Sequence, residues 1–115
     1  MRRRVVLPAL LLLLAILGWP AAGRTVTPPP WLPGRYATFD PWSNRNVRLI
    51  VRQDGRAYLR ITDPRGVYIG RKVGGYAGNG RIVLSNEWYS AHRVGNNVRL
   101  TYLSGHHHSW LFYRQ

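Results

Sequence analysis

Val47-Arg48-Leu49-Ile50-Val51-Arg52-Gln53-Asp54-Gly55-Arg56-Ala57-Tyr58-Leu59-Arg60-Ile61 is the stretch on which the fold turns. Its first half is rich in β-branched residues and mostly alternates. Val47, Leu49 and Val51 share one face, Arg48 and Arg52 the other, as in a half-buried strand. Asp54-Gly55 is a two-residue hairpin signal, because both turn positions favour positive φ. Ala57, Leu59 and Ile61 then resume the inward face, with Tyr58 and Arg60 outward. A two-residue loop sets Arg52 against Ala57 and Arg48 against Ile61, one position from Arg60.

Working outward, the same grammar continues. Asp63-Pro64-Arg65-Gly66 suits a type I turn, with Asp first, Pro fixing φ at the second place and Gly fourth. A strand is expected over Val67–Val73, then a glycine-rich loop from Gly74 to Gly80. Short strands follow at Arg81–Ser85, Trp88–Val94, Val98–Leu103 and Trp110–Arg114, and one precedes at Gly34–Phe39. No helical periodicity interrupts them. Short strands at this spacing predict an all-β, antiparallel up-and-down meander of about eight strands, closing into a small barrel or packing as a sandwich. Closure is favoured because it removes exposed sheet edges. Asn46-Val47-Arg48-Leu49 recurs as Asn97-Val98-Arg99-Leu100, which suggests two four-strand halves.

Upstream the chain changes character. Met1-Arg2-Arg3-Arg4 is a basic start, Val5 to Leu17 is almost wholly apolar, and Ala21-Ala22-Gly23 offers small residues for cleavage. This is the pattern of a secretory signal peptide, and its apolar run falls short of the roughly 20 residues that span a bilayer. The expected organisation is therefore a cleaved signal helix at 1–23, a Pro-rich linker at 24–33 and a barrel domain at 34–115. The product is expected in the periplasm or secreted. The chain has no cysteine, so an exported domain of this size must cohere without disulfides and carries no lipid-modified cysteine.

Charge is the strongest compositional signal. The chain carries +13; without Arg2, Arg3 and Arg4 its basic residues fall from 17 to 14 against four acids, leaving +10. A field of that sign attracts polyanions. Lys72 is the sole lysine, a skew that GC-rich codon usage explains, although codon usage does not explain the scarcity of acids. Arg48, Arg52 and Arg60 are expected on one outer face, extended by Arg81, Arg93 and Arg99 and interleaved with Tyr58, Tyr68 and Tyr89. Guanidinium groups so arranged hold phosphate or sulfate bidentately. With an export signal, the expected partner is an anionic envelope lipid or glycan, met peripherally, and not nucleic acid.

Trp31-Leu32-Pro33-Gly34-Arg35-Tyr36 followed by a meander resembles the opening of calycin-type barrels, the group of lipocalins and avidins, where a Gly-x-Trp element sits on the first strand. Here Tyr36 stands in place of the tryptophan. The resemblance implies a barrel whose mouth takes a small apolar ligand, with Trp31, Tyr36, Trp88 and Trp110 shaping the pocket. A carrier of that kind is the alternative function, and a protein–protein interaction or inhibitor module is another. The chain is also similar to small periplasmic barrels that inhibit lysozymes. Those usually carry a disulfide and meet a basic enzyme, a role unsuited to a basic, cysteine-free domain.

Little else points to chemistry. His106, His107 and His108 are candidate ligands for Cu²⁺, Ni²⁺ or Zn²⁺, with Glu87 or Asp63 to complete a site. No Gly-x-Ser-x-Gly elbow surrounds Ser90, Ser104 or Ser109. The glycine-rich loop lacks the Gly-Lys-Ser/Thr of a phosphate loop. Asp54 and Asp63 belong to turns, which leaves Asp40 and Glu87 as the only carboxylate pair. No enzyme and no cofactor are expected.

Overall fold

The Arg45–Ile61 region folds as a hairpin whose turn sets the register of its two strands. β2 (Arg45–Val51) and β3 (Arg56–Thr62) pair antiparallel, with Val47 opposite Ile61, Arg48 opposite Arg60 and Leu49 opposite Leu59. The register differs by one residue from the sequence expectation. Gly55, not Asp54, takes positive φ (93°). The Gly55 amide bonds to the Arg52 carbonyl and the Arg52 amide to the Arg56 carbonyl, so the loop holds three residues, 53–55, instead of two. Three-residue hairpins of this kind place one glycine in the left-handed region after a type I turn. The Asp54 carboxylate fixes the loop by accepting from the Arg56 amide at 2.9 Å.

The computed structural model describes residues 26–106 and 108–115. The expected signal segment and His107 lie outside the described residues. β1 (Gly34–Asp40) precedes the hairpin, and β4 (Tyr68–Gly78), β5 (Arg81–Leu84), β6 (Glu87–Val94), β7 (Asn97–Tyr102) and β8 (Ser109–Arg114) follow it. Each strand pairs antiparallel with the next, and β8 closes on β1 through Tyr36↔Arg114 and Ala37↔Tyr113. The sheet is a closed eight-stranded barrel, not a sandwich, and is consistent with a calycin-like fold.

Strand parity decides which side chains fill the interior. Tyr36, Leu49, Val51, Ala57, Leu59, Tyr76, Ile82, Leu84, Tyr89, Val98, Leu100 and Phe112 form the buried cluster. Leu32 joins it at 0% exposure, and Trp31 packs against it. The end of the Pro-rich segment is therefore part of the body. The Leu32 amide bonds to the Pro29 carbonyl, and the Val26 amide to the Tyr76 carbonyl.

The glycine-rich segment is strand and not loop as far as Gly78; the reversal is Asn79-Gly80, both with positive φ. Gly74 is required because a Cβ there would lie 1.7 Å from the Val83 carbonyl oxygen. Glycine here marks close backbone approach, one of its two meanings within a strand. The recurring Asn-Val-Arg-Leu segments lie on β2 and β7, which run in opposite directions along the barrel. They do not mark two equivalent halves. In each, valine and leucine point inward and arginine outward, so the likeness is one of strand chemistry.

The barrel has two unlike ends. The 52–55, 79–80 and 95–96 turns and the 26–33 segment lie at the sealed end. The 41–44, 63–67, 85–86 and 103–108 turns surround the other, the mouth.

Candidate functional site

The one-residue change of register matters most on the outer wall. It places Arg48 directly opposite Arg60, and β3–β4 pairing places Arg60 directly opposite Arg71. Three guanidinium groups therefore stand in a row across β2, β3 and β4, all on exposed residues. Cross-strand neighbours have Cβ atoms about 5 Å apart, and like charges directly opposed destabilise a sheet. Among the described residues the ion pairs are Arg56–Asp54, Arg65–Asp63 and Lys72–Glu87. None involves the row. Among the described residues it has an aromatic partner: the Arg60 guanidinium lies 5.1 Å from the centroid of Tyr68.

Two grooves flank the row. One, of about 750 Å³, runs past Ala37, Arg48, Ile50, Tyr58, Arg60 and Pro64. A second, of about 450 Å³, is lined by Tyr58, Arg60, Tyr68 and Arg71. Arg52 borders a third groove of about 360 Å³ with Arg35, Ile50 and Tyr58. Tyr58 and Tyr68 thus accompany the arginines as expected, while Tyr89 faces inward and is buried. Arg71 was not among the residues read from sequence as anion-binding. Alternation alone hides its outward direction, because Arg71 shares its sequence parity with Ile69 and Val73, apolar residues that are nonetheless exposed.

The other expected cations are not gathered here. Arg81 lies on β5 and Arg99 on β7, the strand across the barrel from β3, with its Nη1 at 3.5 Å from Ser109 Oγ. Arg93 turns toward the sealed end, where its Nε donates to the Gly95 carbonyl at 3.1 Å. The six-residue set is dispersed: Arg48 and Arg60 stand on β2 and β3 with Arg52 just past β2, while Arg81, Arg93 and Arg99 stand on β5, β6 and β7.

The four aromatic residues expected to shape a pocket are also dispersed. Tyr36 is fully buried at the sealed end, beside half-buried Trp31. Its hydroxyl donates to the Leu32 carbonyl at 2.6 Å and receives Arg114 Nη2 at 2.8 Å. Arg114 also donates to the carbonyls of Trp31, Pro33 and Asn96 at 2.8, 3.2 and 3.1 Å. This clamp closes that end. Trp88 points outward and is 43% exposed. Trp110 alone of the four lines the mouth.

That mouth holds a cavity of about 190 Å³, bounded by Leu59, Ile61, Lys72, Tyr89, Trp110 and Phe112, with Asp40 and Arg45 at its edge. Lys72 shares the inward parity of β4 and donates Nζ to Glu87 Oε1. Tyr102 donates its hydroxyl to Glu87 Oε2 at 2.6 Å. These two hydrogen bonds, from Lys72 first and Tyr102 second, hold the Glu87 carboxyl below the usual carboxylate range. Burial alone would depress the Lys72 ammonium, but Glu87 and Tyr89 outweigh it and the net displacement is upward. Burial pushes the Tyr89 phenol up; the hydrogen bond to Glu87 does the same for Tyr102. Glu87 is thus tied into an internal network and does not meet Asp40, which accepts from the Trp42 amide and Ser43 hydroxyl in its own turn.

His108 stacks edge-on against Trp110 at 4.4 Å and lies 5.6 Å from Tyr102. Its Nδ1 is 3.2 Å from the His106 carbonyl. Among the described residues no three His, Cys, Asp or Glu side chains converge as a metal site. The chain matches no protein-family model, no curated protein and no solved structure.

Proposed function

We propose that this chain is an exported, non-enzymatic β-barrel that binds an anionic envelope component, one bearing phosphate or sulfate groups, through its arginine wall. The observation that carries this reading is the Arg48–Arg60–Arg71 row. Two direct Arg–Arg cross-strand pairs oppose folding, and a bound oxyanion relieves both. A guanidinium accepts a phosphate or sulfate edge through two parallel hydrogen bonds. Tyr58 and Tyr68, in the adjoining grooves, present apolar rings with polar tips toward the same ligand.

A carrier function is the second reading, supported by the mouth cavity and its largely apolar walls. Its size weighs against that reading. At about 190 Å³ it falls below the roughly 300–1,000 Å³ typical of small-molecule sites. A ligand there would be very small.

The test is binding of the chain from Arg24 onward, which contains the whole closed barrel, to a soluble sulfated polyanion over a salt series. Arg48→Ser, Arg60→Ser and Arg71→Ser together should cost about 3 kcal/mol near a charged surface, over a hundredfold, and flatten the salt dependence. Unchanged affinity in the triple variant would refute the arginine-wall reading. Salt-independent binding of a small apolar probe, with tryptophan quenching, would favour the carrier.

A further inference from the structure

The mouth of the barrel carries a feature that the arginine wall does not explain. Trp42, at the tip of the β1–β2 turn, is 91% exposed. Phe39 near the end of β1, Val67 in the β3–β4 turn and Ile69 at the start of β4 are exposed large apolar residues as well. These turns sit at the same end of the barrel, two strands apart, or roughly 10 Å at ordinary strand spacing. Trp42 is held outward by an ordered turn, since its own amide bonds to Asp40 Oδ1 at 3.1 Å. Exposed apolar groups clustered in this way mark an interaction surface.

Their relation to the arginines identifies the partner. Arg48 stands four residues below Asn44, and Arg60 four below Pro64. At ordinary strand rise and barrel tilt that is roughly 10 Å of axial height. Both sets belong to the β1–β4 side, and the groove of about 750 Å³ runs from Arg48 and Arg60 to the β3–β4 turn at Pro64, Arg65 and Gly66, next to Val67 in the chain. An apolar surface lying in a bilayer interface buries roughly 5–10 Å into the boundary between headgroups and acyl chains. Apolar tips at that depth bring the arginine row level with lipid phosphates. Tryptophan favours the same boundary, with an apolar body and a polar N–H.

We infer that the barrel docks mouth-first on an anionic lipid bilayer, inserting Trp42, Phe39, Val67 and Ile69 while Arg48, Arg60 and Arg71 meet the headgroup phosphates. This rests on the arginine-wall reading and narrows its ligand from any polyanion to a membrane. A soluble glycan offers phosphate or sulfate but no apolar layer for the tips.

The chain from Arg24 is mixed in parallel with anionic phosphatidylglycerol vesicles, neutral phosphatidylcholine vesicles and a soluble sulfated polyanion. Trp42→Ser, Val67→Ser and Ile69→Ser are combined in one variant, with its thermal midpoint checked against wild type. The expected result is wild-type binding to the anionic but not the neutral vesicles and to the polyanion, with a blue shift of tryptophan emission on the vesicles that Trp42→Phe removes. The combined variant should lose about tenfold or more in vesicle affinity, given the apolar area removed, and keep its polyanion affinity within about twofold. Equal vesicle binding by wild type and variant would overturn insertion and leave the arginine wall standing. So would polyanion binding without vesicle binding. Binding to neither would overturn both.

Discussion

The Arg114 guanidinium on the last strand lies 4.8 Å from the ring centroid of Tyr36 on the first, and its Nη2 is 2.8 Å from the Tyr36 hydroxyl. These two residues are also Cα partners across the β1–β8 seam that closes the barrel. The cation therefore does two jobs. It covers the face of a buried aromatic ring, and it satisfies three carbonyls that the incoming 26–33 segment and the 95–96 turn leave at that end. Burial pushes the Tyr36 phenol up, and Arg114 opposes this in part.

Removing the clamp should be costly. Arg114→Ala is expected to destabilise the barrel by about 2 kcal/mol, because several charge-assisted hydrogen bonds go together. Arg114→Lys should recover less than half of this, since an ammonium lacks the planar fork. Tyr36→Phe should cost about 1 kcal/mol. Urea denaturation followed by far-UV dichroism measures all three.

Two glycines should respond differently to an added methyl group. At Gly74 the new Cβ meets backbone, 1.7 Å from the Val83 carbonyl oxygen. At Gly34 it meets a side chain, 2.4 Å from Arg114 Nη1. Gly74→Ala should cost about 3 kcal/mol or more, because the paired strands must part. Gly34→Ala meets two costs, a backbone φ of 154° that L residues rarely adopt and the Arg114 contact, and only the second should shrink in an Arg114→Ala background. A double-mutant cycle giving strict additivity would show that Arg114 is not what the Gly34 site protects.

Glu87 should impose an acid limb on stability. Its folded carboxyl lies below the ordinary value of 4.5 because Lys72 and Tyr102 hydrogen-bond its charged form. Its contribution is then fully present above about pH 5, near the upper edge of ordinary carboxylate titration. It is lost as pH falls through the depressed folded value. Glu87→Gln should cost about 1 kcal/mol at neutral pH for a partly solvated pair, and much less at pH 3. Thermal midpoints of the two proteins from pH 3 to 7 should converge at the acid end.

Arginines outside the row provide a control for it. Arg81→Ser with Arg99→Ser removes two positive charges from β5 and β7, away from Arg48, Arg60 and Arg71. Anion affinity should fall by no more than about threefold, through the long-range field alone. An effect equal to that of the row variants would mean that net charge, and not the row, governs binding.

The eight strands, their order and the inward residues of the second and third were legible in sequence, because a half-buried strand writes its two faces as alternation. Val47, Leu49, Ala57 and Leu59 are buried as that alternation required. The positions that misled were those where one residue type serves two physical ends. Glycine ends strands and also permits close backbone approach, so Gly74 has the sequence signature of a loop while lying within β4. Asp-Gly suits both two- and three-residue hairpins, so the register slipped by one. In a sheet such a slip changes which residue every side chain faces.

By itself, then, the sequence determined an all-β meander, a strongly basic surface and an interior filled by alternating apolar residues. These follow from local propensity and from charge, which need no knowledge of what lies opposite. Only the tertiary structure decided that Arg48, Arg60 and Arg71 form one row while Arg81 and Arg99 stand outside it, on β5 and β7. It alone turned Lys72 inward onto Glu87, and set Arg114 against Tyr36 across 78 residues of chain. Register and closure bring together residues distant in sequence, and both depend on long-range backbone pairing that no local pattern encodes.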